Sequence, residues 1–234
     1  MRPMNSQNDL EGRQVVVTGG AGGVGPAVVD LLLAAGATCH LPLLGPSDGV
    51  RKDARIVSAV GVDLSDEAAV RKFYASLPPL WASVHLAGGF RPGPILDTTL
   101  ADLRKQLDQN LTTAFLCCRE AARNMRAGGR GGRIANVSSR AASVPAGGAI
   151  AYTVAKAGVA ALTEALADEL RGEGILVNAV VPSIIDTPAN RAAMPAADHA
   201  RWPKPADIAA AIAWLISPAN ALTSGALVPV YGDA

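Results

Sequence analysis

The chain is poor in several residue types, and each shortage removes a class of function. Its 234 residues hold only three cysteines, Cys39, Cys117 and Cys118, with no C-x-x-C spacing and no downstream histidine pair. Buried reduced thiols are therefore expected, not a disulfide framework or a metal site. Neither sign of charge is in excess: 21 Lys and Arg face 20 Asp and Glu, a formal net charge of +1. Attraction to a phosphate backbone needs a surplus of positive charge, so no nucleic-acid partner is expected. Long apolar runs are missing as well. The uncharged stretch 208–232 is broken by Ser217-Pro218, Asn220 and Thr223-Ser224-Gly225, far short of the ~18 apolar residues of a membrane span. It reads as a helix, a loop and a buried strand. Residues 1–9 are polar and lack the apolar stretch of a signal peptide. A cytoplasmic location without membrane contact is the expectation.

What is present is apolar in a regular way. Half of the residues are hydrophobic and 18% are charged, which excludes disorder over most of the length and suits one domain spanning residues 1–234, with 1–9 as a flexible tail. Short runs rich in Val, Ile and Leu recur at 14–18, 38–44, 55–62, 83–87, 133–137, 175–181 and 226–230. Continuous apolar runs suit strands buried on both faces. Segments of helical spacing lie between them, at 26–35, 67–77, 100–126, 150–171 and 205–216. The alternation predicts an α/β fold: a Rossmann-like doubly wound parallel sheet of about seven strands with helices on both faces. Ser65, before Asp66-Glu67, and Lys204-Pro205 mark helix starts.

The first strand runs into Thr18-Gly19-Gly20-Ala21-Gly22-Gly23-Val24-Gly25 and then an apolar helix with Pro26 in its first turn. Glycines here permit a tight turn and a close approach to a pyrophosphate, while the helix start offers unpaired N–H groups. Position between strand and helix favours dinucleotide binding over a bare flexible loop. An acid often follows about 20 residues on to hold the adenosine ribose, but that neighbourhood reads His40-Leu-Pro-Leu-Leu44. The cofactor is therefore NADP(H) or NAD(H), with a lean toward NADP(H). Arg51 and Lys52 either meet a 2′-phosphate or form a solvated pair. Asp63 either bonds the adenine amino group or caps the next helix.

Tyr152-Thr-Val-Ala-Lys156 places a phenol and an ammonium one helical turn apart on one face. A nearby cation stabilises a phenolate, and moving a phenol from about pH 10 toward neutrality takes roughly 3 to 4 kcal/mol. A phenol so tuned protonates a carbonyl oxygen during reduction or takes the alcohol proton in the reverse direction. Ser139, thirteen residues before the tyrosine, and Asn110, within an apolar helix, accompany the pair.

In this order the residues resemble the short-chain dehydrogenase/reductase family over nearly the whole chain. Thr18-Gly-x-x-x-Gly23-x-Gly25 matches its cofactor motif, Asn110 its helical asparagine, Asn136-Val-Ser-Ser139 its serine segment and Tyr152-x-x-x-Lys156 its catalytic pair. Val177-Asn178 to Pro182 and Thr187-Pro188 match its nicotinamide-side segment. The resemblance implies that Ser139 bonds the substrate oxygen, Tyr152 is the general acid or base, and Lys156 lowers its pKa and binds the nicotinamide ribose, while Asn110 holds a water leading from Lys156 to solvent. Ser138 is the rival serine. The resemblance further implies cofactor contacts at Thr18, Gly19, Gly23, Val24, Gly25, Asp63, Leu64, Ala87, Gly88, Tyr152, Lys156, Pro182, Ile185 and Thr187.

Three segments depart from the family pattern. His85-Leu86-Ala87-Gly88 stands where the family has Asn-Asn-Ala-Gly, Ser183 replaces a glycine after Pro182, and the terminal segment reads Val228-Pro-Val-Tyr231-Gly232 in place of the family's Val-Asp-Gly-Gly. His85 reads as a packed strand residue. For the substrate, Phe90 and Arg91-Pro92-Gly93 are candidates for one wall of a pocket. Ala192-Ala193-Met194-Pro195 and Trp202 form either the other wall or a surface loop, and Arg140 either attracts an anionic substrate or faces water. The small residues Ala157, Gly158, Ala160 and Ala161, with the helix from Leu100, suggest by resemblance a homodimer or homotetramer. The expected activity is an NAD(P)(H)-dependent ketoreductase, 3-oxoacyl-reductase-like, on a small carbonyl or alcohol substrate. A non-catalytic dinucleotide sensor of the same fold is the alternative, and a sugar-nucleotide epimerase ranks last because only about 50 residues follow Pro182.

Overall fold

All seven apolar runs form strands in the computed structural model, which describes residues 9–46 and 49–233. They are β1 (Gln14–Thr18), β2 (Thr38–Leu43), β3 (Ile56–Val60), β4 (Ala82–His85), β5 (Gly132–Val137), β6 (Ile175–Pro182) and β7 (Leu227–Val230). Every pairing is parallel, in the order β3-β2-β1-β4-β5-β6-β7. The order reverses between β1 and β4, where a doubly wound sheet opens a crevice at the carboxyl ends of its strands. Of the tail expected at 1–9, only Asp9 lies within the described residues. Leu10 is buried, and its N–H donates to Ala35 O at 2.9 Å.

The two-residue period of β1 sorts its side chains between two cores. Val15 and Val17 face α1 (Gly25–Ala34) and α8 (Pro205–Ile216), packing with Leu32 and Ile212, whereas Val16 belongs with Phe73, Met125 and Val177 on the other face. That second face is covered by α2 (Glu67–Ala75), α4 (Thr113–Gly128) and α6 (Ile150–Glu169). Burial on both sides is why Val15 to Val17 of β1 read as an unbroken apolar run; β4 and β6 also bury Ser83, His85 and Asn178, which are hydrogen-bonded. β3 departs from this expectation. It is one of two outer strands, and Val57 and Val60 stay about half exposed; β7, the other, has no fully buried residue, so the run at 226–230 is not the buried strand expected.

Two local readings change. The helix expected at 100–126 is divided into α3 (Leu100–Leu107), a π turn at Asp108–Thr112 and α4. Side chains intercept the backbone there: Asn110 Nδ2 donates to Gln106 O at 3.0 Å and Thr113 Oγ1 to Gln109 O at 3.0 Å. The start of α2 is capped not by Ser65 but by Asp66, whose carboxylate accepts from the N–H groups of Ala68 and Ala69. Lys204 does begin α8, and its N–H is accepted by Asp207 at 2.7 Å. By length and composition α6 is apolar enough to cross a membrane. Here it packs on β5, β6 and α3 and carries the buried Lys156.

Ile212 has no exposed surface and joins α8 to the sheet. Ile212→Ala is expected to lower unfolding free energy by about 2 to 5 kcal/mol, read as a lower midpoint at unchanged slope in urea.

Candidate active site

Four strands deliver the expected residues to one edge of the sheet: Thr18 ends β1, His85 ends β4, Val137 ends β5 and Pro182 ends β6. The β1 turn is locked onto the loop after β4. Thr18 Oγ1 accepts the Ala87 N–H at 3.2 Å, and Thr18 O accepts that of Leu86 at 3.2 Å. Gly19 sits at φ +67°, and a Cβ there would lie 2.8 Å from Ala87 N; one on Gly25 would collide with the Gly20 carbonyl oxygen. These glycines are required first for the cradle to fold on itself. Val24 begins α1 with no side-chain cap, but Gly25 N–H donates to Gly22 O at 3.1 Å and Pro26 has no N–H, so the helix start offers an anionic ligand its dipole more than a full set of free donors.

Beside the cradle is a cavity of about 390 Å³ lined by Gly19, Leu43, Leu44, Asp63, Leu64, Ala87 and Gly88, among others. Asp63 has a local role. Its carboxylate accepts from Ser65 N at 2.8 Å and Ser65 Oγ at 2.7 Å, and those bonds hold its pKa below the usual carboxylate range. A dinucleotide suits these features: apolar side chains for an adenine face, side-chain-free glycine backbone for phosphates, and the Asp63 carboxylate in the loop after β3. At the β2 end Arg51 reaches Asp30 at 3.2 Å and Asp53 at 3.5 Å, so its charge is engaged on the surface.

Ser139 and Tyr152 meet: the serine hydroxyl is hydrogen-bonded to the phenol and also accepts the Ala141 N–H at 3.3 Å, starting the short helix α5 (Arg140–Ser143). The rival Ser138 is buried, and its hydroxyl donates to Lys156 O at 2.9 Å. Lys156 Nζ donates to Val137 O at 2.8 Å and lies 5.9 Å from the centre of the Tyr152 ring. Burial lowers its pKa to about 8. The expected lowering of the phenol pKa does not occur. Burial raises it, and the Ser139 hydrogen bond opposes that rise in part.

Asn110 is tied to backbone. Its Nδ2 donates to Gly89 O at 2.9 Å, and its Oδ1 accepts the Gly89 N–H at 3.2 Å. A carbon on Gly88 would stand 2.7 Å from Asn110 Oδ1 and 3.4 Å from Lys156 Nζ, so the loop passes bare against both groups. Thr187 is buried and caps α7 (Pro188–Ala193) through the Asn190 N–H at 3.3 Å, and Ile185 O accepts from both Thr187 N and Asn190 Nδ2 at 2.8 Å. Trp202 is 6% exposed and packs on His199, an anchor for its loop in place of a pocket wall.

The departures from the family pattern connect residues that spacing alone did not join. His85 Nδ1 bonds Asn136 Oδ1 at 2.8 Å and its Nε2 bonds Ser83 Oγ at 2.8 Å; Tyr74 and Thr163 extend the chain at either end. Burial lowers the His85 pKa to about 4, so the ring is neutral and structural. Ser183 Oγ donates to Tyr231 O at 2.6 Å, and the Arg140 guanidinium lies 5.3 Å from the centre of the Tyr231 ring. Tyr231 was missed as a neighbour of the site, since no local pattern carries a contact across 48 residues.

Comparison with known proteins agrees with this geometry. The sequence profile described as "short chain dehydrogenase" matches residues 13–198. The chain is 34% identical over 243 residues to the cis-4-hydroxycyclohexanecarboxylate dehydrogenase of Sinomonas cyclohexanicum, covering 94% of this chain and 95% of that one. It is 33% identical over 250 residues to the galactitol 2-dehydrogenase of Rhizobium johnstonii, covering 94% of each. Among solved structures, the short-chain dehydrogenase/reductase from Brucella melitensis superposes with a TM-score of 0.87 at 28% identity, over 97% of this chain and 98% of that one. The chain belongs to the short-chain dehydrogenase family and is an oxidoreductase.

Proposed function

We propose that the enzyme interconverts a ketone and a secondary alcohol with a nicotinamide dinucleotide, and that Tyr152 is the general acid in reduction. The observation that carries this is the phenol bonded to the Ser139 hydroxyl, with the Lys156 ammonium buried one turn along the same helix. When bound, the nicotinamide supplies the hydride. Tyr152, kept protonated by burial, gives its proton to the carbonyl oxygen, to which Ser139 donates a second hydrogen bond. Lys156 stabilises the phenolate left behind. Asn110 holds Gly88-Gly89 against Lys156 through its two bonds to Gly89. The cradle from Thr18 to Gly25 takes the pyrophosphate, with Asp63 and Leu64 at the adenine and Pro182, Ile185 and Thr187 on the nicotinamide side.

With no carboxylate after β2, where Leu44 is largely exposed, NADP(H) is the favoured cofactor. The engaged Arg51 supplies little toward a 2′-phosphate, so both forms are expected to serve, NADPH better. For assembly, we propose a homo-oligomer through the outer faces of α4 and α6, where Phe115 and Val154 are about half exposed. Gly158 is spent within the monomer, since a Cβ there would meet Leu111 Cδ2 at 2.7 Å. A monomeric mass in light scattering would refute the oligomer.

Two results test the reaction. In a ketone panel assayed by loss of reduced-nicotinamide absorbance, Tyr152→Phe should lower kcat by about 100- to 10,000-fold while leaving the denaturant midpoint in place. An unchanged rate would remove Tyr152 from the mechanism. The second concerns pH. Below pH about 8 Lys156 carries its proton, and as pH rises through that value the charge is lost. The phenolate then lacks its cation, so reduction should fall along an alkaline limb near pH 8. A rate constant flat to pH 10 would contradict that role.

A further inference from the structure

Phe90 lies between two fixed points of the loop after β4. Gly89 is held by the Asn110 side chain at both its N–H and its carbonyl, and the Gly93 N–H donates to Gly148 O at 2.7 Å. Between them the Phe90 ring meets the Tyr152 ring edge to face, 5.0 Å between centres at 83°. This contact covers only part of it. Phe90 remains 64% exposed, a large aromatic surface facing solvent beside the phenol assigned as proton donor.

Other exposed apolar side chains lie on the segments that carry the site residues. Val144, five residues after Ser139, is 56% exposed; Ile150, two before Tyr152, is 38% exposed; Ile184, two after Pro182, is 41% exposed. Each belongs to a segment that carries a residue of the site. The nearest loop cation, Arg91, is paired with Asp102 at 2.7 Å. A carbonyl oxygen bonded to Tyr152 and Ser139 places one substituent of its carbon on the Phe90 side of the phenol. An apolar ring there gains contact with an aromatic surface already held in place. A hydroxyl group there gives up water without a polar partner in return.

We propose that Phe90 is a specificity-determining residue that selects carbonyl substrates bearing a flat or alicyclic apolar group next to the reacting carbon, over open-chain polyhydroxy ketones. The proposal rests on the reading of Tyr152 as general acid. It deepens that reading by naming the substrate class.

The test compares kcat/KM for acetophenone, cyclohexanone and erythrulose in the wild type, Phe90→Ala and Phe90→Leu. The wild type should prefer the two cyclic compounds. In Phe90→Ala the ratio of kcat/KM for acetophenone over that for erythrulose should fall at least tenfold, mainly through KM, with Phe90→Leu in between. The alkaline limb should stay at the pH of the wild type in both variants, because Tyr152 and Lys156 are untouched. A ratio that changes less than threefold, or a limb that moves, would overturn the assignment of Phe90 to substrate selection. Reduction of erythrulose in preference to both cyclic ketones overturns this proposal alone and leaves the reaction standing. A wild type that reduces none of many ketones with either cofactor overturns the reaction, and this proposal with it.

Discussion

A parallel sheet covered by helices on both faces sends the carboxyl end of every strand to one edge, and that constraint determines where this chain tolerates polar side chains. Inside the layers, polar groups must find partners or be absent. At the edge they project into the crevice made by the reversal of strand order between β1 and β4. Thr18, Val137 and Pro182 come from three strands distant in sequence. They become neighbours of the cradle and of Tyr152 only because the strands are parallel and in register.

Lys156 is the costliest consequence of that arrangement. Its ammonium is buried, and the displacement of its pKa to about 8 measures how strongly burial disfavours the charge. The Val137 carbonyl at 2.8 Å replaces one water; bare backbone at Gly88 lies where a side chain would fill the space beside the ammonium. Asn110 maintains this opening by binding Gly89 on both sides, and the π turn is what aims it there. A straight α-helical register over residues 100–126 would rotate Asn110 relative to the helix on one side of it, and the glycine loop would lose its tie.

Much of this was legible in the sequence, for identifiable reasons. Strand positions were readable because burial on both faces favours apolar runs, and the exceptions, β3 and β7, lie at the two borders of the sheet, where no residue is fully buried. That Ser139, Tyr152 and Lys156 come together was legible because their placement depends on local spacing along one helix and one strand end. The division of the long helix was not, since it depends on where Asn110 and Thr113 place their hydrogen bonds. Nor was the direction of the Tyr152 shift: proximity to a cation is visible in the spacing, but the depth of burial that outweighs it is a property of the folded chain.

His85 shows how a departure from the family pattern is absorbed. An imidazole is larger than an amide and has two ring nitrogens to satisfy. Both are bonded, one to Asn136 on the neighbouring strand and one to Ser83 two residues back on its own. Asn136 in turn donates to Thr163 on α6, the helix that carries Tyr152 and Lys156. The substitution therefore joins β4, β5 and α6 through one fully buried line of hydrogen bonds. The Asn136 amide oxygen accepts from Nδ1, which by itself favours the charged ring, but burial outweighs that bond and keeps the imidazole neutral. Burial holds its pKa at about 4. The ring stays neutral across the pH range in which Lys156 titrates, which separates the group that holds the sheet from the group that holds the charge.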